Sequence, residues 1–565
     1  MKYILYIFLY LNIYTGFLNN LNAQNIQLII RSEDSIPKGL VDSLGINLNF
    51  KKIIALEQEA IALHHALENI GYIENKLKSI QKKNDSSFIA TFYFGTRFKY
   101  LKVYYSKEDF SKDELVQVST LIKDDHFTLP FKNIENSLNK LTNLKTENGN
   151  SFARLHLGDF KKNKDSTLSA QLIVSKGSKR TIDKIVVKGY EKFPKSYLKH
   201  YAGIKVGNTF NKKEIISKNE EINNLGFVST LKNPEALFKK DSTTIYYYIK
   251  KQKNNLFDGV LGFSTNEDNQ KLIFNGYLNL QLNNNLNFGE QFTLNYKADG
   301  NNQQNFRVKV TLPYLIESPF GVELELNIFK RDSTFITSEQ QAQVSYQINP
   351  STNSFVGYKG YESSNLLNNH PERSNIEDFN SKYIVAGVTF LKHQSNILFP
   401  IKTSLSIESE IGNRKLREVT ESQLRASGIL HHIFNLNYKN SIFLQNCTSI
   451  LTSDTFLTNE LFRFGGINSI RGFNENSIDA SMYSVLNTEY RHQFNEGIYM
   501  HSIIDIAYFE NQVLSIKEKL YSFGVGIGMQ TKPGVIRLNI ANGNIENQDF
   551  NFSNTKIHLS LSSRF

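Results

Sequence analysis

The sequence has almost no cysteine, no tryptophan and little proline. Of its 565 residues one is cysteine, Cys447, and ten are proline. A single cysteine excludes an internal disulfide framework and a metal site built from several thiolates. The chain also lacks a Gly-x-Ser-x-Gly motif, which carries the nucleophile of many hydrolases. These absences favour a protein that is not an enzyme and needs no cofactor.

Long apolar runs are also missing. Beyond the N-terminus, no apolar run reaches the roughly 20 residues of a transmembrane helix. Residues 1–23 are typical of a signal peptide, with Lys2, an apolar stretch to Phe17 that is too short to span a bilayer, and Ala23 at the cleavage position. A short membrane anchor is the alternative. An exported chain without such helices is either soluble or crosses a membrane as a closed barrel.

Positive charge is concentrated in the first half. Residues 24–252 contain 38 Lys and Arg against 25 Asp and Glu, whereas residues 253–565 contain 26 against 29. A basic N-terminal half could face anionic lipid headgroups or an acidic partner. Surface lysines that contact only solvent would give the same excess of positive charge. Export makes nucleic acid an improbable partner.

The first half contains three similar segments. "LENIGYIENKLKSIQKKNDSSFIATFYF" begins at Leu67 and "INNLGFVSTLKNPEALFKKDSTTIYYYI" begins at Ile222, with a looser copy between them. Gly71, Gly149 and Gly226 follow each other at intervals of 78 and 77 residues. Such regular spacing predicts three tandem domains of one fold. Their boundaries are predicted at 24–97, 98–179 and 180–252.

Each segment combines a helical and a strand pattern. In the first, an apolar series at steps of three or four predicts an amphipathic helix, formed by Leu56, Ala60, Leu63, Leu67 and Ile70. In the third, the order strand, helix, helix, strand, strand is predicted. This β-α-α-β-β pattern resembles the POTRA domain, the periplasmic module of outer-membrane assembly and translocation proteins.

The second half alternates apolar and polar residues with period two. "NGYLNLQLNNNLNFGEQFTLNYKA" and "KIHLSLSSRF" are examples, separated by turns rich in Asn, Gly and Asp. In an outer-membrane barrel the apolar face meets lipid and the polar face meets the lumen. Residues 253–565 are therefore predicted to form a membrane β-barrel of about sixteen antiparallel strands, from 258–265 to 556–565. Phe565, an aromatic last residue, is typical of the assembly signal of such barrels.

Two further segments carry a family resemblance. "RFGGINSIRGF", residues 463–473, resembles the Arg-Gly-aromatic loop of the BamA/TamA outer-membrane assembly and translocation superfamily. "FGVGIGMQTKPGVIRLNIANG", residues 523–543, resembles the penultimate strands of that superfamily. Three POTRA-like domains resemble TamA-type members more than the five typical of BamA.

The resemblance implies a role for the loop. In that superfamily the loop folds back into the lumen, and its arginine contacts acids on the inner wall. The matching loop residues are Gly465, Gly466, Ile470, Arg471, Gly472 and Phe473. Glu489 and Asp505 match the acidic positions, and Ala507 stands where the superfamily has glycine after the second acid.

The resemblance also implies a function. A weak seam between the first and last strands would open and offer an edge to a client strand, while POTRA domains receive clients in the periplasm. The expected partners are client outer-membrane or secreted proteins, outer-membrane lipid and a periplasmic or inner-membrane protein. The expected location is the outer membrane.

Three other functions compete with this one. A two-partner-secretion transporter dedicated to one substrate would carry two POTRA domains and a plug helix. A barrel enzyme such as a phospholipase would need a Ser/His pair, and a passive adhesin would not need three POTRA domains. The doublets His64-His65 and His431-His432 are not expected to bind metal, because neighbouring side chains point apart on a helix or strand.

Overall fold

The computed structural model describes residues 25–34, 39–163, 167–265, 272–298, 303–367, 375–531, 534–546 and 548–563. The predicted signal peptide and Phe565 lie outside the described residues. The chain forms two compact units. One comprises residues 1–180 with 209–212, and the other comprises residues 181–208 with 213–565.

The first domain is a four-stranded sheet covered by one long helix. Its elements are β1 Ile26–Ser32, α1 Leu40–Ser43, β2 Asn49–Phe50, α2 Ile53–Asn69, β3 Lys76–Asn84 and β4 Ser87–Tyr93. The strand order is β2-β1-β4-β3, with β1 and β4 parallel. Leu56, Ala60, Leu63 and Leu67 are fully buried along one face of α2, as the apolar series predicts.

The second domain repeats this arrangement. Its elements are β5 Tyr100–Tyr104, α3 Lys112–Leu115, β6 His126–Pro130, α4 Ile134–Glu147, β7 Arg154–Lys162 and β8 Leu168–Ser175. The strand order β6-β5-β8-β7 has the same connectivity as the first domain, again with the opening and closing strands parallel. Both domains contain a short strand between the helices that the predicted order omits.

The third domain has the predicted β-α-α-β-β order. Its elements are β9 Lys184–Lys188, a π-helical turn Tyr197–Tyr201, α5 Lys212–Asn223, β10 Val228–Phe238 and β11 Thr243–Lys251. β11 lies between β10 and β9 and is parallel to β9. Among the described residues, no helix combines the length and apolarity needed to cross a bilayer.

Sixteen antiparallel strands form the barrel, as predicted. Its strands, with a small hairpin β23–β24 in one loop, are β12 Leu256–Thr265, β13 Leu272–Asn283, β14 Gln291–Ala298, β15 Gln304–Leu312, β16 Phe320–Arg331, β17 Phe335–Asn349, β18 Thr352–Asn365, β19 Phe379–His393, β20 Ile401–Leu416, β21 Val419–Asn435, β22 Asn440–Thr452, β23 Phe462–Phe464, β24 Ile478–Ala480, β25 Met482–Asn495, β26 Ile498–Asn511, β27 Ile516–Gln530, β28 Gly534–Ile545 and β29 Thr555–Ser563. Each wall strand pairs with the next in the chain, and β22 pairs directly with β25.

Burial on the barrel wall is inverted relative to a soluble protein. On β20, Ile407 and Ile411 are exposed while Glu410 and Arg414 are buried. On β27, Phe523, Val525, Ile527 and Met529 are all exposed. Apolar residues outside and polar residues inside are the pattern of a lipid-embedded barrel.

The third domain contacts the rim of the barrel that carries the β13–β14 and β15–β16 turns. The Tyr197 hydroxyl donates to the Gly289 carbonyl at 3.1 Å, and the Tyr197 ring meets Tyr314 edge-on at 4.8 Å. The Tyr190 hydroxyl donates to Asn287 Oδ1 at 2.6 Å. Asn287 and Gly289 lie between β13 and β14, and Tyr314 lies between β15 and β16. This contact places the domain at the mouth of the barrel.

The divergence expected for neighbouring histidine side chains does not occur at His64 and His65. The rings of His64 and His65 on α2 lie 5.3 Å apart, and a nitrogen of each lies within 4.8 Å of the other and of a Glu68 carboxylate oxygen. Adjacent helical residues do diverge by about 100°, but long side chains can lean together over a residue one turn later. Glu68 is that residue.

Candidate functional site: a loop held inside the barrel

The loop from Ser453 to Ser481 leaves the wall between β22 and β25 and crosses the lumen. Arg331 on β16 and Arg414 on β20 form ion pairs with it, and so does Asp505 on β26. β16 and β26 are eight strands apart in a wall of sixteen, so they stand on opposite sides. The loop therefore spans the barrel from one side of the wall to the other.

Glycines with positive φ let the loop turn near its tip. Gly465 and Gly466 have φ of 116° and 96°, and Gly472 has φ of 85°. The Gly466 N–H donates to the Ile470 carbonyl at 3.1 Å, which closes a tight turn before the arginine. Residues with a Cβ are strained at such angles, so the glycines permit this path.

The loop tip touches the last two strands of the barrel. A Cβ on Gly472 would lie 2.6 Å from the backbone nitrogen of Gly543 on β28, and a Cβ on Gly543 would lie 2.7 Å from the Gly472 carbonyl oxygen. The Gly472 N–H donates to Nε2 of His558 on β29 at 3.1 Å. Two glycines back to back therefore allow a contact that no larger pair would fit.

Arg471 is buried and shared by two carboxylates. Its Nε and Nη2 donate to Asp505 at 2.8 and 2.6 Å in a bidentate pair, and its Nη1 donates to Glu489. Its backbone N–H also donates to Asp505 at 3.0 Å. Arg491 donates to the second oxygen of Glu489 at 2.7 Å. Two arginines and two acids give a neutral cluster, which lowers the cost of burying them.

A cluster of buried apolar side chains lies beside these charged residues. Ile470 is fully buried beside Phe464, and Phe473 packs against the same group. The wall contributes Val485, Ala507, Phe509 and Leu520, and the loop hairpin contributes Ala480. Ala507 is 1% exposed, so its methyl group packs within this cluster. These contacts exclude water from the arginine and strengthen its ion pairs.

A second ion cluster holds the start of the loop, and here the loop carries the negative charge. Glu460 is buried and accepts from Arg414 Nη1 at 2.5 Å and from Gln423 Nε2 at 3.0 Å. Arg425 Nη1 donates to the Glu460 carbonyl at 3.1 Å. Here the loop supplies the acid and the wall supplies the arginines. Arg414 and Glu460 side chains are 0% and 2% exposed.

A third ion pair holds the end of the loop. Asp479 on β24 accepts from Arg331 Nη1 on β16 at 2.6 Å. Arg463 pairs with Asp479 across the small hairpin, and its guanidinium lies 4.3 Å from the Phe329 ring centroid. The loop is therefore fixed at its beginning, tip and end.

Sequence reasoning missed much of this site. Missed residues are Arg331, Arg414, Arg425, Glu460, Asp479, Gly543 and His558. On β20 and β21 a signal was present, because polar residues, several of them charged, alternate with exposed apolar ones. The loop acids and the glycine pair carried no comparable signal, since strand alternation does not extend into a loop.

Comparison with known protein families gives two matches. Residues 421–565 match the model of the Omp85 superfamily domain, and residues 180–252 match a POTRA model described as a surface antigen variable number repeat. No match was found among curated proteins.

Two solved structures of CdiB share the fold. CdiB from Acinetobacter baumannii is 15% identical with a TM-score of 0.51, over 94% of this chain and 100% of that one. CdiB from Escherichia coli is 11% identical with a TM-score of 0.51, over 90% and 98%. BamA from Haemophilus ducreyi lacking POTRA domains 1–3 is 16% identical with a TM-score of 0.49, over 82% and 99%.

Proposed function

This chain is an Omp85 superfamily protein with a POTRA repeat ahead of its barrel, and from that premise we propose that it inserts or exports client proteins at the outer membrane. Its barrel lies in the outer membrane and its N-terminal domains lie in the periplasm. The superfamily consists of outer-membrane assembly and transport proteins, so we expect this chain to act by binding and strand exchange, with no covalent bond broken.

The seam between the first and last strands carries this proposal. Cα atoms of β12 and β29 approach within 8 Å, yet no ladder joins the described residues of these two strands. β29 pairs with β28 from Thr555 to Ser563, so its other edge is free among those residues. A free edge is a template for a further strand, and a client strand can add to it.

The docked loop supports a role in controlling this seam. Its tip bonds to His558 on β29, and Gly472 packs on Gly543 of the neighbouring strand. The loop arginine is anchored two to four strands away, on β25 and β26. We propose that Arg471, with Glu489 and Asp505, holds the wall beside the seam in register while the seam itself opens.

The N-terminal domains supply places at which clients can bind. Each domain sheet ends in an edge strand, namely β3, β7 and β10. We propose that these edges receive extended client segments, which the third domain passes to the rim that it contacts. The net positive charge of residues 24–252 would favour acidic clients or the anionic membrane surface.

Depletion of the protein followed by outer-membrane proteomics tests this function. Loss of many barrel proteins would support a general insertase. Loss of one exported protein would support a dedicated exporter of the two-partner-secretion type. Re-expression of the wild-type chain should restore either profile. An unchanged outer-membrane proteome after full depletion would contradict the proposal.

A further inference from the structure

Three side chains that commonly bind metal ions meet on helix α2 of the first domain. One nitrogen from each of His64 and His65 and one oxygen from Glu68 all lie within 4.8 Å of one another. His65 Nδ1 is 3.0 Å from Glu68 Oε2, and His64 Nε2 is 3.7 Å from Glu68 Oε1. In a tetrahedral zinc site with bonds of about 2.0–2.1 Å, neighbouring ligand atoms stand about 3.3–3.5 Å apart. Small rotations of these side chains therefore suffice to bind an ion.

Helix geometry explains why the three side chains converge. Glu68 follows His64 by four residues and His65 by three, and both spacings place side chains on one helix face. Leu63 and Leu67 are fully buried on the opposite side, which fixes the orientation of the helix on its sheet. The His64, His65 and Glu68 side chains are 28%, 64% and 42% exposed. An ion from solvent can reach them.

Asn75 prepares His64 for binding through its Nε2 atom. Asn75 Oδ1 lies 2.5 Å from His64 Nδ1, and an amide oxygen only accepts, so Nδ1 carries the proton. Asn75 is 4% exposed, and its Nδ2 donates to the Tyr72 carbonyl at 2.5 Å, which fixes the orientation of the amide. The Nε2 lone pair is left free on the side of Glu68. Metal-binding histidines are typically oriented by such an outer partner.

We propose that His64, His65 and Glu68 bind one Zn²⁺ ion, with water as the fourth ligand. Two imidazole nitrogens and one carboxylate oxygen are ligands that zinc accepts at an open site. Calcium and magnesium require more oxygen ligands than this group offers. The site does not depend on the proposed function of the barrel.

Titration of the full-length protein in detergent tests the site. After treatment with EDTA and removal of the chelator, calorimetric titration with ZnCl₂ should give one saturable equivalent. His65→Ala and Glu68→Gln should each weaken this equivalent at least tenfold. His432→Ala is the matched control, because His431 and His432 belong to no such group of ligands among the described residues. That variant should bind as the wild type does.

Asn75→Ala separates a metal site from a structural contact. It leaves all three ligands in place and removes only the outer partner of His64, so zinc affinity should fall about 10–100-fold. The Co²⁺-loaded wild type should show the visible absorption of a four-coordinate ion, and the Glu68→Gln protein should lose it. Circular dichroism confirms that each variant is folded. Absence of saturable binding by the wild type, or unchanged binding by His65→Ala and Glu68→Gln, would overturn the proposal. The depletion experiment on function would be unaffected by either result.

Discussion

Arg471 holds the loop tip through contacts that leave its side chain almost inaccessible to water. Its side chain is 5% exposed, and the partner carboxylates of Glu489 and Asp505 are 10% and 0% exposed. Asp505 provides the bidentate contact, whereas Glu489 shares its charge with Arg491. Removing one member of a buried cluster leaves the others uncompensated, which costs far more than losing a surface pair.

Arg471→Ala should destabilise the barrel by about 3–5 kcal/mol, because it leaves the buried Asp505 without its cation and Glu489 with only Arg491. The measurement is the temperature at which the folded barrel loses its compact gel mobility, together with complementation of a depleted strain. Arg471→Lys should restore only part of the stability, since an ammonium cannot form the bidentate pair. A variant that resists heat and complements like the wild type would contradict the structural role of Arg471. Pairing Arg471→Glu with Asp505→Arg tests the same contact by charge reversal.

Gly543 should be sensitive to the addition of one methyl group. Gly543→Ala places a Cβ 2.7 Å from the Gly472 carbonyl oxygen and should destabilise the docked loop by about 1–3 kcal/mol. Gly428→Ala on β21 is the matched control, because the nearest atom to its Cβ would be 4.0 Å away. Protease cleavage within the loop reports undocking. Equal protection of both variants would mean that the glycine contact does not hold the tip.

The loop is held by three ion pairs, to which it contributes in turn a negative, a positive and a negative side chain. Its acid Glu460 meets wall arginines, its Arg471 meets wall acids, and its acid Asp479 meets a wall arginine again. A loop with these charges has one favourable position, because any shift would place like charges together. The three anchors lie on different parts of the wall, so the loop also braces the barrel across its lumen.

Glu460→Ala should undock the start of the loop. It leaves Arg414 fully buried with only Glu421 as its acidic partner, and should cost about 3–5 kcal/mol. The readout is again the thermal shift in gel mobility. The control is Glu377→Ala, which removes an exposed pair with Arg417, itself 78% exposed, and should cost at most about 1 kcal/mol. Equal effects of the two substitutions would show that Glu460 is not an anchor.

Sequence patterns predicted the elements better than the contacts between them. The period-two alternation in residues 253–565 predicted a sixteen-stranded barrel, and the apolar series on α2 predicted the buried face of that helix. Both predictions succeeded because they depend on local periodicity. The short strands β2 and β6 were missed because two to five residues carry no readable period. Glu460 and His558 were missed because their partners are distant in the chain, and no local rule specifies such pairs.

At the scale of the whole molecule, the barrel wall is a continuous sheet braced by the loop and interrupted at the seam between the first and last strands. Fifteen neighbouring strand pairs form continuous ladders among the described residues, and the first and last strands do not. The third domain contacts the rim at the β13–β14 and β15–β16 turns, close in sequence to the first strand. A client delivered by that domain would therefore arrive near the seam.

A disulfide across the seam tests whether the first and last strands must separate for the protein to work. In a Cys447→Ser background, one cysteine is placed within residues 256–260 and one within 559–563, and the pair that crosslinks fully is selected. The control crosslink joins Leu538→Cys and Leu559→Cys, which replace Cα partners in the β28–β29 ladder. If clients pass through an open seam, the seam crosslink should stop support of client proteins in a depleted strain, a reductant should restore it, and the control crosslink should have no effect. Full support of client proteins with the seam locked would show that clients do not need an open seam.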